Sequence, residues 1–294
     1  MQWKKVALIG VGLLGGSLGL ALKQRRKAAV VAGFVRRRAS IRECKRMRAV
    51  DYATLDLLEA VRGADLIILC TPIAQMRSLV ERMIPVLEKG AIITDVGSVK
   101  GPVVRDVEAL ATRAGAHFVG SHPMAGAEKM GVTAARADLF QDAVCVVTPT
   151  ARTPRHALRK IEALWKSLGS RVLRLSPEVH DQLVSKSSHL PHVVATVLAY
   201  NVLSPTERKE QRQLCANGFR DATRIASGSP EMWRDIALAN RKNLAAAVGS
   251  FIKQLERMHE SLRAGDQKAV AKFFEEAKLR RDRWRATHIS RSPE

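Results

Sequence analysis

The feature that most constrains this chain is Gly10-Val11-Gly12-Leu13-Leu14-Gly15, which closes an apolar run from Val6 and opens a helical pattern from Gly15 to about Arg26. Gly-x-Gly-x-x-Gly alone is a weak signal. Here it follows a buried strand, starts a helix and leads to a second strand at Val30–Val35, which is the context the motif needs. Gly10 permits the tight turn, Gly12 lets the backbone approach a pyrophosphate, and Gly15 lets helix pack on strand. The helix N-terminus then presents unpaired N–H groups and partial positive charge. Gly10, Gly12, Leu13, Leu14 and Gly15 are therefore expected to hold a dinucleotide.

Further strands are predicted at Asp65–Thr71, Ala91–Asp95, His117–Gly120, Ala143–Thr148 and Arg171–Leu175, with helical segments between them. That alternation implies a doubly wound parallel sheet of the Rossmann kind. The texture changes at Ser176-Pro177-Glu178, where an N-cap, a proline at the first helical position and an early acid signal a helix start. Ser229-Pro230-Glu231 repeats it, and no strand is predicted beyond. The expected organisation is a sheet domain over residues 1–176 and an all-helical domain over 177–294.

The end of the second strand bears on cofactor choice. Enzymes that use NAD usually place an acid there for the ribose 2′-hydroxyl, whereas arginine suits a 2′-phosphate. Here Val35 stands in that place and Arg36, Arg37 and Arg38 follow. Guanidinium groups grip a phosphate bidentately, so NADP is expected over NAD. Thr71 and Pro72, at the end of the Asp65–Thr71 run, complete the candidate cofactor contacts.

The net charge of +21 is spread over both halves, +9 in residues 1–150 and +12 in the remainder. Charge alone does not choose among nucleic acid, acidic lipid and an anionic small molecule. Lys4 and Lys5 before the Val6–Leu22 run resemble a secretory signal, yet patterned glycines interrupt the run and Ala21-Leu22-Lys23 is a poor cleavage site. No other apolar stretch approaches the ~20 residues that span a bilayer. Cys44, Cys70, Cys145 and Cys215 are far apart and form no Cys-x-x-Cys pair, which suits a reducing compartment and small core residues. A cytoplasmic protein is expected.

Two loops extend from strand ends, where open α/β sheets bind ligands: Asp95-Val96-Gly97-Ser98-Val99-Lys100-Gly101 and Gly120-Ser121-His122-Pro123-Met124-Ala125-Gly126. His122, flanked by Gly, Ser and Pro, is expected in a loop rather than the core. The helical half adds His189-Leu190-Pro191-His192, then Gly218-Phe219-Arg220-Asp221-Ala222-Thr223-Arg224-Ile225-Ala226, then Met232-Trp233-Arg234-Asp235. His189 and His192 share a helix face, and Pro191 should kink that helix. No third metal ligand has suitable spacing, so no metal is expected. Arg220 is expected to pair with Asp221 or Asp235.

In this order and spacing the motifs resemble the prephenate/arogenate dehydrogenase family, over essentially the whole chain. The resemblance implies oxidative decarboxylation of prephenate to 4-hydroxyphenylpyruvate, with hydride passing to a nicotinamide. It implies His122 as the base, Ser98 orienting the substrate hydroxyl and the nicotinamide, and Arg224 holding one of two carboxylates. It also places His189, His192 and Trp233 around the substrate. The family commonly has glycine where Asn217 stands. A homodimer is implied too, in keeping with the apolar segments Val193–Val202 and Leu244–Ile252. Three rivals remain: an arogenate dehydrogenase on the same scaffold, a β-hydroxyacid or 6-phosphogluconate-type dehydrogenase, and a nucleic-acid-binding redox sensor. The second usually relies on a lysine in the helical domain. Against the third stand the 4% aromatic content and the lack of a nucleic-acid-binding signature.

Overall fold

A computed structural model describes residues 2–126, 130–206 and 208–289, the last three as backbone only. The chain alternates β1 (Trp3–Ile9), α1 (Leu13–Gln24), β2 (Ala28–Phe34), α2 (Arg38–Met47), β3 (Tyr52–Thr54), α3 (Leu57–Val61), β4 (Leu66–Leu69), α4 (Ile73–Met83), β5 (Ile92–Asp95), α5 (Gly101–Arg113) and β6 (His117–Pro123). β7 (Val144–Thr148), α6 (Arg155–Ser167) and β8 (Arg171–Arg174) complete the sheet. Then come α7 (Pro177–Val184), α8 (Leu190–Val202), α9 (Lys209–Gln213), α10 (Asn217–Thr223), α11 (Pro230–Ala239), α12 (Arg241–Arg263) and α13 (Gln267–Ile289).

The strand order is β3-β2-β1-β4-β5-β6-β7-β8. Its first six strands are parallel and follow the 3-2-1-4-5-6 order of Rossmann sheets, with the reversal between β1 and β4, where ligands sit. β4 reads Leu-Ile-Ile-Leu and is fully buried, as a strand covered by helices on both faces must be. One apolar cluster joins Leu8, Leu18, Leu22, Ile68 and Trp165 on one face of the sheet, and another joins Ile9, Ile67, Met76, Val107 and Phe118 on the other. Burial of each such side chain stabilises the fold by about 1.5–3 kcal/mol.

The sheet departs from expectation at one rung: β7 pairs antiparallel with β6, and the sequence pattern carries no mark of that reversal. The chain forms two compact units, Met1–Arg241 and Lys242–Glu294, so the change to helices after Ser176 falls inside the first. The second unit holds α12 and α13, which are joined through Gly265 (φ +63°), with Asp266 Oδ1 accepting the Ala269 N–H to cap α13. Cys44 and Cys145 are core residues, whereas Cys70 and Cys215 are only partly buried, contrary to expectation.

Candidate active site

β6 outruns its parallel neighbour. Thr94 opposite Val119 is the last rung with β5, while β6 continues against β7 and sets His122 opposite Val146. His122 is thus a strand residue, 7% exposed, and not the loop residue expected. The antiparallel β7 supplies the partner that extends the strand to it.

A buried polar network holds the backbone just before His122. Lys100 and Asp95 form an ion pair with no exposed surface. Lys100 Nζ also donates to the Ser121 carbonyl at 2.8 Å, and Asp95 Oδ1 accepts the Ser121 N–H at 3.1 Å. Ser121 Oγ donates to the Asp95 carbonyl at 2.6 Å and accepts from Trp165 Nε1 at 3.1 Å. Burial lowers the pKa of Lys100, and Asp95 pulls it back up. A buried charge pair is tolerable when its remaining hydrogen-bonding capacity is met in this way.

α7 crosses this network. Ser176 Oγ caps it by accepting the Val179 N–H at 3.2 Å, Pro177 opens its first turn, and its inner face carries His180 and Asp181, both buried. His180 Nε2 lies 2.8 Å from His122 Nδ1, and His180 Nδ1 lies 2.8 Å from Asp181 Oδ1. Asp181 also accepts the backbone N–H groups of Lys100 (2.7 Å) and Gly101 (2.8 Å), tying α7 to the start of α5. Burial, then His180, Lys100 and His189, hold the His122 imidazole well below its ordinary range, so it is neutral at neutral pH.

The break expected at Pro191 takes the form of a π-helical turn, Ser185–His189, with Pro191 in the first turn of α8. His192 accordingly stacks on Trp233, centroids 3.6 Å apart, and His189 meets the same ring edge-on at 6.2 Å. Asn240 Nδ2 donates to the Asp181 carbonyl at 2.8 Å, which identifies it as the amide nitrogen, and lies 3.2 Å from His189 Nδ1. The proton of a neutral His189 is therefore on Nε2. That nitrogen is buried without a hydrogen-bond partner among the described residues, and the Ser98 backbone lies beside the ring.

Burial pushes the His189 pKa down to about 4 from an ordinary 6.5. The unfolded chain therefore takes up this proton first, and the stability present above pH 6.5 is lost as the pH falls toward 4, by about 3 kcal/mol. Denaturation curves should show that loss, with His122 adding in the same sense, and His189→Asn should make it shallower. A denaturation midpoint constant from pH 7 to pH 4 would contradict the assignment.

Arg224 begins an exposed 3₁₀ turn, Arg224–Ser227, that follows α10 and packs against α8. Arg220 instead donates to Asn217 Oδ1, and Asp235 is held by Arg234 at 2.8 Å, so the expected Arg220 ion pair is replaced by a contact with the unusual Asn217.

The glycine loop fits a dinucleotide. Gly10 has φ +97°, and a Cβ on Gly15 would lie 2.1 Å from the Gly10 carbonyl oxygen. A Cβ on Gly12, the N-cap of α1, would meet nothing within 4 Å, so this approach to the helix N-terminus is open. Beside it, Thr71 Oγ1 is buried without a hydrogen-bond partner among the described residues, and Pro72 is the N-cap of α4. Val35 is a core residue, while Arg36, Arg37 and Arg38 are exposed and form no ion pair among the described residues.

Residues 18–174 match the family model for the prephenate dehydrogenase nucleotide-binding domain, and residues 176–276 match that for its dimerization domain. The chain belongs to the prephenate dehydrogenase family. It is 36% identical to a cyclohexadienyl dehydrogenase of Zymomonas mobilis, over 95% of each chain. It is 33% identical to a prephenate dehydrogenase of Bacillus subtilis, over 94% of this chain and 75% of that one. The crystal structure of prephenate dehydrogenase from A. aeolicus, in complex with hydroxyphenyl propionate and NAD+, superposes with a TM-score of 0.89 at 30% identity, covering 96% and 99% of the two chains. This member of the family is accordingly a nicotinamide-dependent oxidoreductase. No helix among its described residues is long and apolar enough to cross a membrane.

Of the residues singled out from the sequence, His189 and His192 meet at the Trp233 ring and His122 lies against His180; His180, Asp181, Asn240 and the Lys100–Asp95 pair were not singled out. A His-Asp dipeptide in the first turns of a helix was the available signal. Only the crossing of α7 over β6 gives it meaning.

Proposed function

We propose that this chain catalyses the oxidative decarboxylation of prephenate to 4-hydroxyphenylpyruvate and carbon dioxide. The observation that carries the reading is the buried, neutral His122 imidazole at the carboxyl end of β6. A bound nicotinamide supplies the hydride acceptor. Gly10, Gly12, Leu13, Leu14 and Gly15 hold the dinucleotide, with Thr71 and Pro72 beside them. A secondary alcohol that gives up hydride from carbon must also release its hydroxyl proton, and a neutral imidazole is suited to take it. Ser98 orients that hydroxyl. Arg224 pairs with a carboxylate through a planar guanidinium, and His189, His192 and Trp233 line the pocket. The product ring becomes aromatic as the carboxylate leaves, so the proton held on His122 returns to the ring oxygen and no net proton is released.

The finer cofactor reading is NADP. Val35 offers no acceptor to a ribose hydroxyl, and Arg36 and Arg37 are exposed beside it. NADP should show the higher kcat/KM, and Val35→Asp with Arg36→Ala should reverse the preference. NAD favoured by the wild type, or an unchanged preference in the double variant, would contradict this.

The protein works as a cytoplasmic homodimer in this reading, with a small dicarboxylate rather than nucleic acid as its partner. Val197 and Tyr200 on α8 and Ile252 and Leu255 on α12 are exposed, as a subunit interface requires. Light scattering at micromolar concentration should give twice the 32.3 kDa chain mass; the chain mass itself would contradict the dimer.

The activity is tested by absorbance at 340 nm with prephenate, arogenate or 3-hydroxyisobutyrate under each cofactor. Reduction should depend on prephenate. Reduction with 3-hydroxyisobutyrate and not with prephenate would overturn the proposal.

A further inference from the structure

The contacts of Asp181 determine where the protons of two buried imidazoles sit. Each of its carboxylate oxygens already accepts a backbone N–H from the start of α5, Oδ1 from Lys100 at 2.7 Å and Oδ2 from Gly101 at 2.8 Å. A carboxylate so engaged can only accept, and the group facing it at 2.8 Å is His180 Nδ1. His180 Nδ1 must then carry the hydrogen, which leaves Nε2 of the neutral ring bare. A bare nitrogen 2.8 Å from His122 Nδ1 requires that His122 donate. The proton of neutral His122 is therefore on Nδ1, and its Nε2 is the free lone pair.

We propose that His180 and Asp181 are positioning residues that fix His122 in the Nδ1–H tautomer, so that Nε2 receives the substrate hydroxyl proton. The inference rests on the reading of His122 as the base. In the step, the substrate O–H bond breaks as His122 Nε2–H forms. The resulting imidazolium donates from Nδ1 to His180, whose own Nδ1–H points at the Asp181 carboxylate. When the electrons of the departing carboxylate enter the ring, the Nε2–H bond breaks and the proton returns to the ring oxygen. The chain of rings thus spreads a positive charge toward the buried Asp181 carboxylate. The other ionisable groups around the His122–His180 pair are Lys100 from the head of α5, Asp95 from β5, Cys145 from β7 and His189 from the π-helical turn. Of these, Lys100 and His189 act against a charged His122, whereas Asp181 meets the far nitrogen of His180.

The tautomer is read directly from the ¹⁵N shifts of His122 in histidine-labelled protein without substrate or cofactor. The wild type should show Nδ1 protonated and Nε2 bare. Asp181→Asn presents an amide N–H to His180 and should move the His122 proton to Nε2. Since Asp181 also caps α5, a second pair of variants keeps the test independent of folding. His180→Gln retains an amide oxygen that can accept from His122 Nδ1, whereas His180→Phe retains no acceptor. His180→Phe should lower kcat by about 10²-fold with KM nearly unchanged and shift the acid limb of the kcat profile, and His180→Gln should recover most of the loss. An Nε2–H tautomer in the wild type, or His180→Phe with wild-type kcat, or His180→Gln no better than His180→Phe, would overturn the inference. Prephenate turnover with the Nε2–H tautomer would sink the inference and leave the proposed activity standing. The Nδ1–H tautomer without turnover would do the reverse.

Discussion

Replacing His122 with Asn lowers turnover by ~10²–10⁴-fold and leaves cofactor affinity where it was, if this imidazole takes the hydroxyl proton. The expected magnitude is that of a lost general base, since burial holds the ring neutral and aimed while an amide has no comparable basicity. Asn occupies less space than His but keeps an N–H able to meet His180, so the fold should survive. The comparison needs kcat from steady-state assays and a cofactor titration of the same preparation. Turnover within a few-fold of wild type would remove His122 from the chemistry. Loss of cofactor binding in step with turnover would mean that it shapes the site instead.

The second large effect is on substrate charge. Arg224→Ala should raise KM for prephenate by roughly 10–100-fold, the equivalent of the 1.5–3 kcal/mol that a hydrogen bond to a charged group contributes. Arg224 is exposed at the head of a 3₁₀ turn, and the melting temperature of the variant is measured alongside KM. Lysine at this position restores the charge but not the fork, and should recover only part of the affinity. An unchanged KM with a lowered melting temperature would make Arg224 a structural residue.

How far the sequence carries the argument differs between elements. The phosphate loop was legible because its constraint is local: Gly10 must turn with positive φ and Gly15 must admit the Gly10 carbonyl oxygen. Strands buried on both faces, such as Leu66–Leu69, announce themselves as unbroken apolar runs. The helix starts at Pro177 and Pro230 were legible from their Ser-Pro-Glu signals, and both serines do cap. What escaped was tertiary. The β6–β7 pairing that turns His122 from a loop residue into a strand residue joins segments with no mark of antiparallel pairing in either. The roles of His180 and Asp181 arise from contacts across 58 to 81 positions of sequence, which no local pattern encodes. Pro191 signals a break in the helix, and what precedes it is a π turn at Ser185–His189; the meeting of His189 and His192 at one ring depends on Trp233 from a later helix.

The central claim is that hydride removal and loss of a carboxylate occur together on one substrate. The most direct test mixes the protein with prephenate labelled in its ring carboxylate and an excess of NADP or NAD, then measures carbon dioxide and the rise at 340 nm in the same sample. One carbon dioxide per reduced nicotinamide, with 4-hydroxyphenylpyruvate as the product, is the expected result. Reduced nicotinamide without carbon dioxide, or no reduction under either cofactor, would contradict it.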